Sequence, residues 1–286
     1  MPLARNYNRY GAGDLTSGMT FIYSSLDDFL EDGAREGTST IHYGFASLDL
    51  HIVPRDSRNL VVMFHAAADP ATSTLPIFVG RQLVADLDAS VLFVSEPALD
   101  YEISIGWYIG DQDRPLQRDL PRVIAHVAEK LGSTHLIFYG ASAGGYASLY
   151  YSHEFENSLS ITLNPQTSVE RYYIEAVQRY YAACWSGTQP TPETAVTDLV
   201  EAYRQSFPNY VIYLQNQSDS FHFSNHFEPW RDAVAELHGK RWGAIVDNWG
   251  DGHVPPDAFL QKVILQYAVT FDGNWQALVA EEDFRL

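Results

Sequence analysis

The run from Thr134 to Tyr150, THLIFYGASAGGYASLY, joins a short apolar, aromatic-rich segment to a second apolar one at a single serine set between glycines. His135 to Tyr139 has the length and composition of a buried strand, and Gly145 to Tyr151 reads as a buried helix. Linking them through Gly140-Ala141-Ser142-Ala143-Gly144 demands a sharp strand-to-helix turn. A side chain at position 140 or 144 would meet the next strand or helix, whereas glycine has no Cβ to collide. The turn strains the backbone at Ser142, lifts its hydroxyl out of the sheet and aims the first helix amides at the same point. In that setting a G-x-S-x-G pattern marks Ser142 as a nucleophile. The pattern alone also fits a tight glycine turn with a buried or capping serine.

The flanking segments supply the context. Asn59 to Phe64 is a continuous apolar run, as expected of a strand covered on both faces. From there strand-like and helix-like stretches alternate. A helix is predicted over Pro76 to Leu87, a strand over Ser90 to Ser95, a helix over Leu116 to Leu131 and a strand over Ser158 to Leu163. After an interruption come a strand at Tyr210 to Leu214, a helix at Glu228 to Leu237, a strand at Trp242 to Val246 and a closing helix from Pro256 to about Thr270. Such alternation implies right-handed βαβ crossovers and a mostly parallel sheet. Met19–Tyr23, Thr40–Ala46 and Leu48–Val53 alternate in the manner of antiparallel edge strands and suggest a meander leading into it. Residues 1 to 20 read as an extended arm without legible function. The interruption, residues 168–208, is helical and rich in tyrosine. It reads as a cap inserted into a core made of residues 1–167 and 209–286, with Thr191 or Thr194 capping a helix after the prolines.

Acidic residues outnumber basic ones 36 to 18, giving a net charge of −18, and no Lys/Arg cluster could neutralise a phosphate backbone. Nucleic acid and anionic membranes are therefore not expected partners. Cys184 is the sole cysteine, so no intrachain disulfide can form. Neither a leader-like apolar segment nor a membrane-spanning run is visible, and a soluble, cytoplasmic protein is the expectation. Nothing in the sequence fixes an oligomeric state.

A serine nucleophile needs a general base, and the base needs an acid to fix its tautomer. His253, in Trp249-Gly-Asp-Gly-His-Val-Pro-Pro256 between the last strand and the last helix, is the expected base. Asp219, just past the preceding strand, is the expected acid, with Asp247 and Asp251 as competitors. Asp219 is equally suited to cap a helix. The oxyanion donors are expected to be the amide of Ala143 and that of Ala66, or else Ala67, in the turn after the Asn59 strand. His65, Tyr146 and His222 are the expected substrate-binding side chains. His222 and His226 lie four apart, but no complete ligand set accompanies them and no metal site is expected. No P-loop or dinucleotide motif is present, so no cofactor is expected.

The elbow, the strand alternation, the acid after the penultimate strand and the late histidine together resemble the α/β-hydrolase superfamily, from about Asn59 to Thr270. The resemblance implies an eight-stranded, mostly parallel sheet flanked by helices, a Ser142-Asp219-His253 triad and a helical cap between the sixth and seventh strands. His65-Ala-Ala-Ala68 departs from the His-Gly-Gly-Gly of many esterases in that superfamily. Asn164-Pro-Gln-Thr167 with Asn216, Asp219, His222 and His226 is similar to hydrolase-like proteins of bacterial surface-polysaccharide biosynthesis. The activity expected is hydrolysis of a carboxylic ester, on a small molecule or a glycan, through an acyl-enzyme on Ser142. An acyl esterase or acyltransferase acting on a glycan, a peptidase, and a non-catalytic binding protein on the same scaffold are the alternatives.

Overall fold

The computed structural model describes residues 3–7 and 19–285. Their strands are β1 (Thr20–Tyr23), β2 (Gly37–Tyr43), β3 (Ala46–Val53), β4 (Asn59–Phe64), β5 (Ser90–Val94), β6 (His135–Ala141), β7 (Leu159–Leu163), β8 (Tyr210–Asn216) and β9 (Trp242–Asp247). The helices are α1 (Leu26–Asp32), α2 (Leu116–Leu131), α3 (Ala143–His153), α4 (Ile174–Cys184), α5 (Leu199–Gln205), α6 (Ser220–His222), α7 (Glu228–Ala233), α8 (Ala258–Thr270) and α9 (Trp275–Val279). The strands form one nine-stranded sheet in the order β1-β2-β3-β5-β4-β6-β7-β8-β9. That is one strand more than the eight implied by resemblance. β3 pairs antiparallel with β2 and β5, and every other pairing is parallel. The expected antiparallel meander therefore fails at β1. Helix α1 intervenes, with Ser25 as its N-cap, and returns the chain so that β1 and β2 run in the same direction.

Strand periodicity divides the interior into two layers. Along β4, Leu60, Val62 and Phe64 face a core shared with α2, α3, α4 and α5, while Val61 and Met63 face one shared with α8 and α9. All six residues of β4 are buried, as a continuous apolar run requires. The helix expected over Pro76 to Leu87 does not form; that stretch is a series of turns. Its apolar residues Phe78, Val84 and Leu87 are still buried, but Gly80 sits at φ +82° and the Ile77 amide donates to Ser95 Oγ. Tertiary anchoring has overridden the local pattern.

Residues 168–208 carry a short 3-10 turn, α4 and α5. Val169, Tyr180, Leu199 and Tyr203 lie in the same core as β4 and α3. Tyrosine hydroxyls join the segment to the rest: Tyr180 donates to the Gly110 carbonyl and Tyr203 to that of Leu149. Thr191 and Thr194 bond to each other in a turn; α5 is capped instead by Asp198, whose carboxylate accepts from the Val200 and Glu201 amides. Among the described residues no helix is long and apolar enough to cross a membrane.

The described part of the N-terminal arm is anchored to the body of the protein. The Arg5 guanidinium forks onto both oxygens of Asp100 at 2.6 Å and reaches Asp49 on β3 at 3.0 Å. Both carboxylates are buried, and burial pushes Asp49 up to about 6 despite the arginine. Replacing Arg5 by Met leaves them without their cation. The expected loss is about 3–5 kcal/mol in urea unfolding, and a loss under about 1 kcal/mol would show the arm to be dispensable.

Candidate active site

The sharp turn between β6 and α3 holds Ser142 at φ 57°, ψ −119°. Non-glycine residues rarely occupy that region, and the surrounding packing enforces it here. A Cβ on Gly140 would lie 2.1 Å from the Gly144 carbonyl oxygen, and one on Gly144 would lie 2.6 Å from that of Phe64. Strand, turn and helix therefore approach more closely than any side chain permits.

Ser142 lines a cavity of about 250 Å³ with Ala66, Ala67, Ala141, Leu163, Asn164, Tyr172, His253 and Pro255. His253 Nδ1 donates to Asp219 Oδ2 at 2.5 Å, which leaves Nε2 as the ring nitrogen for a partner in the cavity. No hydrogen bond joins Ser142 Oγ to His253; Oγ instead accepts from Gln166 Nε2 at 3.0 Å. Asp247 caps the turn after its own strand, accepting from the Asn248 amide, so the expected competitor is engaged elsewhere. Asp219 also caps α6 through its bond to the His222 amide, so its capping and histidine-binding roles coincide.

The Asp219 carboxylate serves two imidazoles. His222 Nδ1 lies 2.9 Å from its Oδ2, and the rings of His222 and His253 stack with centroids 3.8 Å apart and planes 19° apart. Burial pushes the Asp219 carboxyl up, but the bonds from His253 and His222 outweigh it and hold the group below its ordinary value. Burial, reinforced by neighbouring His253, lowers His222 to about 4, so its ring is neutral. Asp219, His222 and His253 bring three potential ligand atoms within 4.8 Å of one another. In nearly parallel stacked rings the in-plane nitrogen lone pairs run side by side, whereas a tetrahedral ion needs them to converge. Both Nδ1 atoms are also committed to the carboxylate as N–H donors. The geometry suits a shared acid rather than a metal centre.

Other expected residues fall outside the cavity. Tyr146 is fully buried, and its hydroxyl donates to the Val196 carbonyl at 2.6 Å, fastening α3 to the 168–208 segment. His65 is buried behind the turn it belongs to: Nδ1 donates to the Ala66 carbonyl at 2.6 Å and Nε2 accepts from the Glu96 amide at 3.0 Å. His222 lies beneath His253, sealed from solvent. None of these three side chains borders the cavity that Ser142 lines. The amides of Ala66, Ala67 and Ala143 donate to no acceptor among the described residues, and Ala66 and Ala67 border the cavity beside Ser142.

Sequence reasoning named Asn164 and Asn216 without assigning them a role, and missed Glu96 and Tyr108. Glu96, buried and pushed up to about 7 by burial, accepts from the Ala98 and Tyr108 amides. Tyr108, at φ 58°, accepts from the His65 amide and donates to its carbonyl, so the Ala66 turn rests on a buried Glu96-Tyr108-His65 assembly. Asn216 donates to the Gly250 and Gly252 carbonyls, and Asn164 to that of Val254, gripping the His253 loop on both sides. Gln166 was visible only as part of the Asn164-Pro-Gln-Thr167 motif.

No family model matches the chain, and no curated protein matches it by sequence. Solved structures do match. The capsule O-acetyltransferase of Neisseria meningitidis serogroup A superposes with a TM-score of 0.56 at 11% identity, over 81% of this chain and 94% of that one. The fluorophosphonate-binding serine hydrolase FphF of Staphylococcus aureus gives 0.55 at 12% identity, over 83% and 97%. The acylaminoacyl peptidase of Pyrococcus horikoshii gives 0.59 at 11% identity, over 86% of this chain but only 42% of the peptidase. The chain has the α/β-hydrolase fold. In it, Ser142 occupies the turn after β6, Asp219 follows β8 and His253 follows β9.

Among the buried histidines of this α/β-hydrolase fold, His65, His222 and His226 are held neutral. His65 and His222 are lowered to about 4 and His226 to about 3, in each case chiefly by burial. Below the ordinary value of 6.5 the unfolded chain binds protons that the folded one refuses, so stability falls as the pH is lowered from about 6.5 towards 4. Asp49 and Glu96, raised by burial, oppose this trend over the same range, so the comparison is between variants. His226→Asn should lose less of its urea midpoint on acidification than the parent, and an identical pH dependence in the two would contradict a neutral His226 ring.

Proposed function

We propose that this protein is a serine hydrolase that cleaves a short-chain carboxylic ester through an acyl-enzyme on Ser142. One observation carries the reading: His253, fixed by Asp219 at 2.5 Å, borders the same small cavity as Ser142 and the unpaired Ala66 and Ala67 amides. His253 Nε2 takes the Ser142 proton as Oγ attacks the carbonyl, and Asp219 holds the ring in the required tautomer. The amides of Ala143 and Ala66, with Ala67 beside them, receive the oxyanion. The imidazolium then gives its proton to the departing alcohol, and a water activated by the same ring releases the acid. His222, neutral and stacked on His253, adds no competing positive charge as the imidazolium forms. The cavity volume of about 250 Å³ and its lining of alanine, leucine and proline favour a small acyl group.

The test is a fluorophosphonate probe with mass-spectrometric mapping, alongside p-nitrophenyl esters of increasing length. Labelling is expected at Ser142, turnover highest on the acetyl and butyryl esters, and loss of at least about 10³-fold in kcat for Ser142→Ala. Full activity in Ser142→Ala would dismiss the reading.

A glycan ester, with hydrolysis or transfer of its acyl group, is the second reading. Tyr173 is 49% exposed and stacks on Phe221 with centroids 4.2 Å apart and planes 11° apart, beside Tyr172 at the cavity. Such a shelf offers an apolar face to a sugar ring. The structural neighbour named as a capsule O-acetyltransferase agrees with this reading. Tyr173→Ala is expected to raise KM for an acetylated oligosaccharide about tenfold more than for p-nitrophenyl acetate. An equal effect on both substrates would remove the shelf from the binding site.

A further inference from the structure

Gln166 follows β7 in the Asn164-Pro165-Gln166-Thr167 turn, fully buried at the carboxyl edge of the sheet. Its Nε2 lies 3.0 Å from Ser142 Oγ and 2.9 Å from His222 Nε2. The direction of both bonds follows from the partners. Asp219 accepts from His222 Nδ1, so the neutral His222 ring carries its proton there and its Nε2 can only accept. The group facing it is therefore the Gln166 amide nitrogen, and that nitrogen's second hydrogen goes to Ser142 Oγ. Gln166 Oε1 is buried with no partner among the described residues, which hold the amide by its nitrogen. The chain of bonds runs Asp219, His222, Gln166, Ser142, separately from the Asp219-His253 arm.

We propose that Gln166 is a catalytic residue that stabilises negative charge on Ser142 Oγ in both halves of the reaction. The inference rests on the serine-hydrolase reading above. During attack the Oγ–H bond breaks, the proton moves to His253 Nε2, and Oγ bonds to the carbonyl carbon. The carbonyl π electrons pass to the oxygen held by the Ala143 and Ala66 amides. The ester C–O bond then breaks, and the alcohol leaves with the proton from His253. In the second half a water oxygen attacks the acyl carbon and gives a proton to His253. The C–Oγ bond breaks, and Oγ departs as it regains a proton from His253. In each half Oγ carries partial negative charge in the transition state, and the oxyanion amides address the other oxygen. A fixed, fully buried N–H donor 3.0 Å from Oγ acts where that charge develops. Because Gln166 donates to Oγ, the serine's own hydrogen is not used in that contact and stays available for transfer to His253. His222 is then a positioning residue, since it orients the amide without touching the reacting atoms.

The experiment uses the full-length protein with Gln166→Met, which keeps the length of the side chain, and Gln166→Glu, which keeps its shape. Thermal melts establish folding. Three quantities are then measured: the rate of Ser142 labelling by a fluorophosphonate, kcat and KM on p-nitrophenyl acetate, and the pH dependence of kcat. For Gln166→Met, labelling rate and kcat should fall about 10²-fold with KM within about twofold of the parent. For Gln166→Glu, the ratio of kcat to that of the parent should rise as the pH falls, because the protonated carboxyl again donates to Oγ while the ionised one repels the charge. Loss of an ordinary packing contact would leave that ratio flat. A folded Gln166→Met variant that labels and turns over within about threefold of the parent overturns the inference, as does a flat ratio for Gln166→Glu. If Ser142→Ala keeps its turnover, the hydrolase reading fails first. If Ser142 is essential and Gln166→Met is silent, only the role of Gln166 fails.

Discussion

Gly140 and Gly144 lie so close that a Cβ on the first would overlap the carbonyl of the second. That approach is the constraint on which the site depends. It lets α3 begin as soon as β6 ends and forces Ser142 into the left-handed region. Gly144 also packs tightly against the end of β4, and this contact sets the start of the turn that offers the Ala66 and Ala67 amides. Ser142 and the Ala66 and Ala67 amides are thereby fixed to one another by backbone sterics, which no side-chain rotamer can relax.

The electrostatics centre on Asp219. A single carboxylate holds two stacked imidazoles, and their environments divide their roles. His222 is sealed and neutral, whereas His253 borders the cavity. Two imidazolium rings 3.8 Å apart would repel strongly, and burial keeps His222 neutral beside its stacked neighbour. The neutral ring is not idle, because its free nitrogen fixes the Gln166 amide that reaches Ser142. One acid therefore holds both the ring that borders the cavity and the ring that orients Gln166 towards Ser142.

Polar side chains from distant parts of the sequence brace the loops at the carboxyl edge of the sheet. Glu96, Tyr108 and His65 support the turn after β4, and Asn164 and Asn216 grip the His253 loop. Buried polar groups of this kind are costly unless paired, and the pairing turns that cost into rigidity. The strained residues Trp107 and Tyr108, both at positive φ, lie in the same buried assembly. Local preference has yielded there to the geometry of the site.

Much of this protein was legible in its sequence, for a definite reason. The glycine-serine elbow and the strand-helix alternation depend on residues close along the chain, and β4, β6, α2 and α3 lie where periodicity predicts them. The order Ser142, Asp219, His253 was also visible, since each follows a recognisable strand. What escaped depends on contacts that periodicity does not encode. The Pro76–Leu87 stretch has helical patterning, yet its side chains are buried through turns anchored by Ser95. Arg5 sits in an unremarkable arm, yet it neutralises two buried carboxylates far along the chain. His65 and Tyr146 flank the elbow and the turn after β4, but their rings point into the interior; Gln166, from a turn after the next strand, reaches Ser142 instead. Sequence determined which strands and turns this chain makes, because those follow from neighbouring residues. Tertiary structure alone decided which buried polar atoms meet, because hydrogen-bond partners are chosen by distance in space.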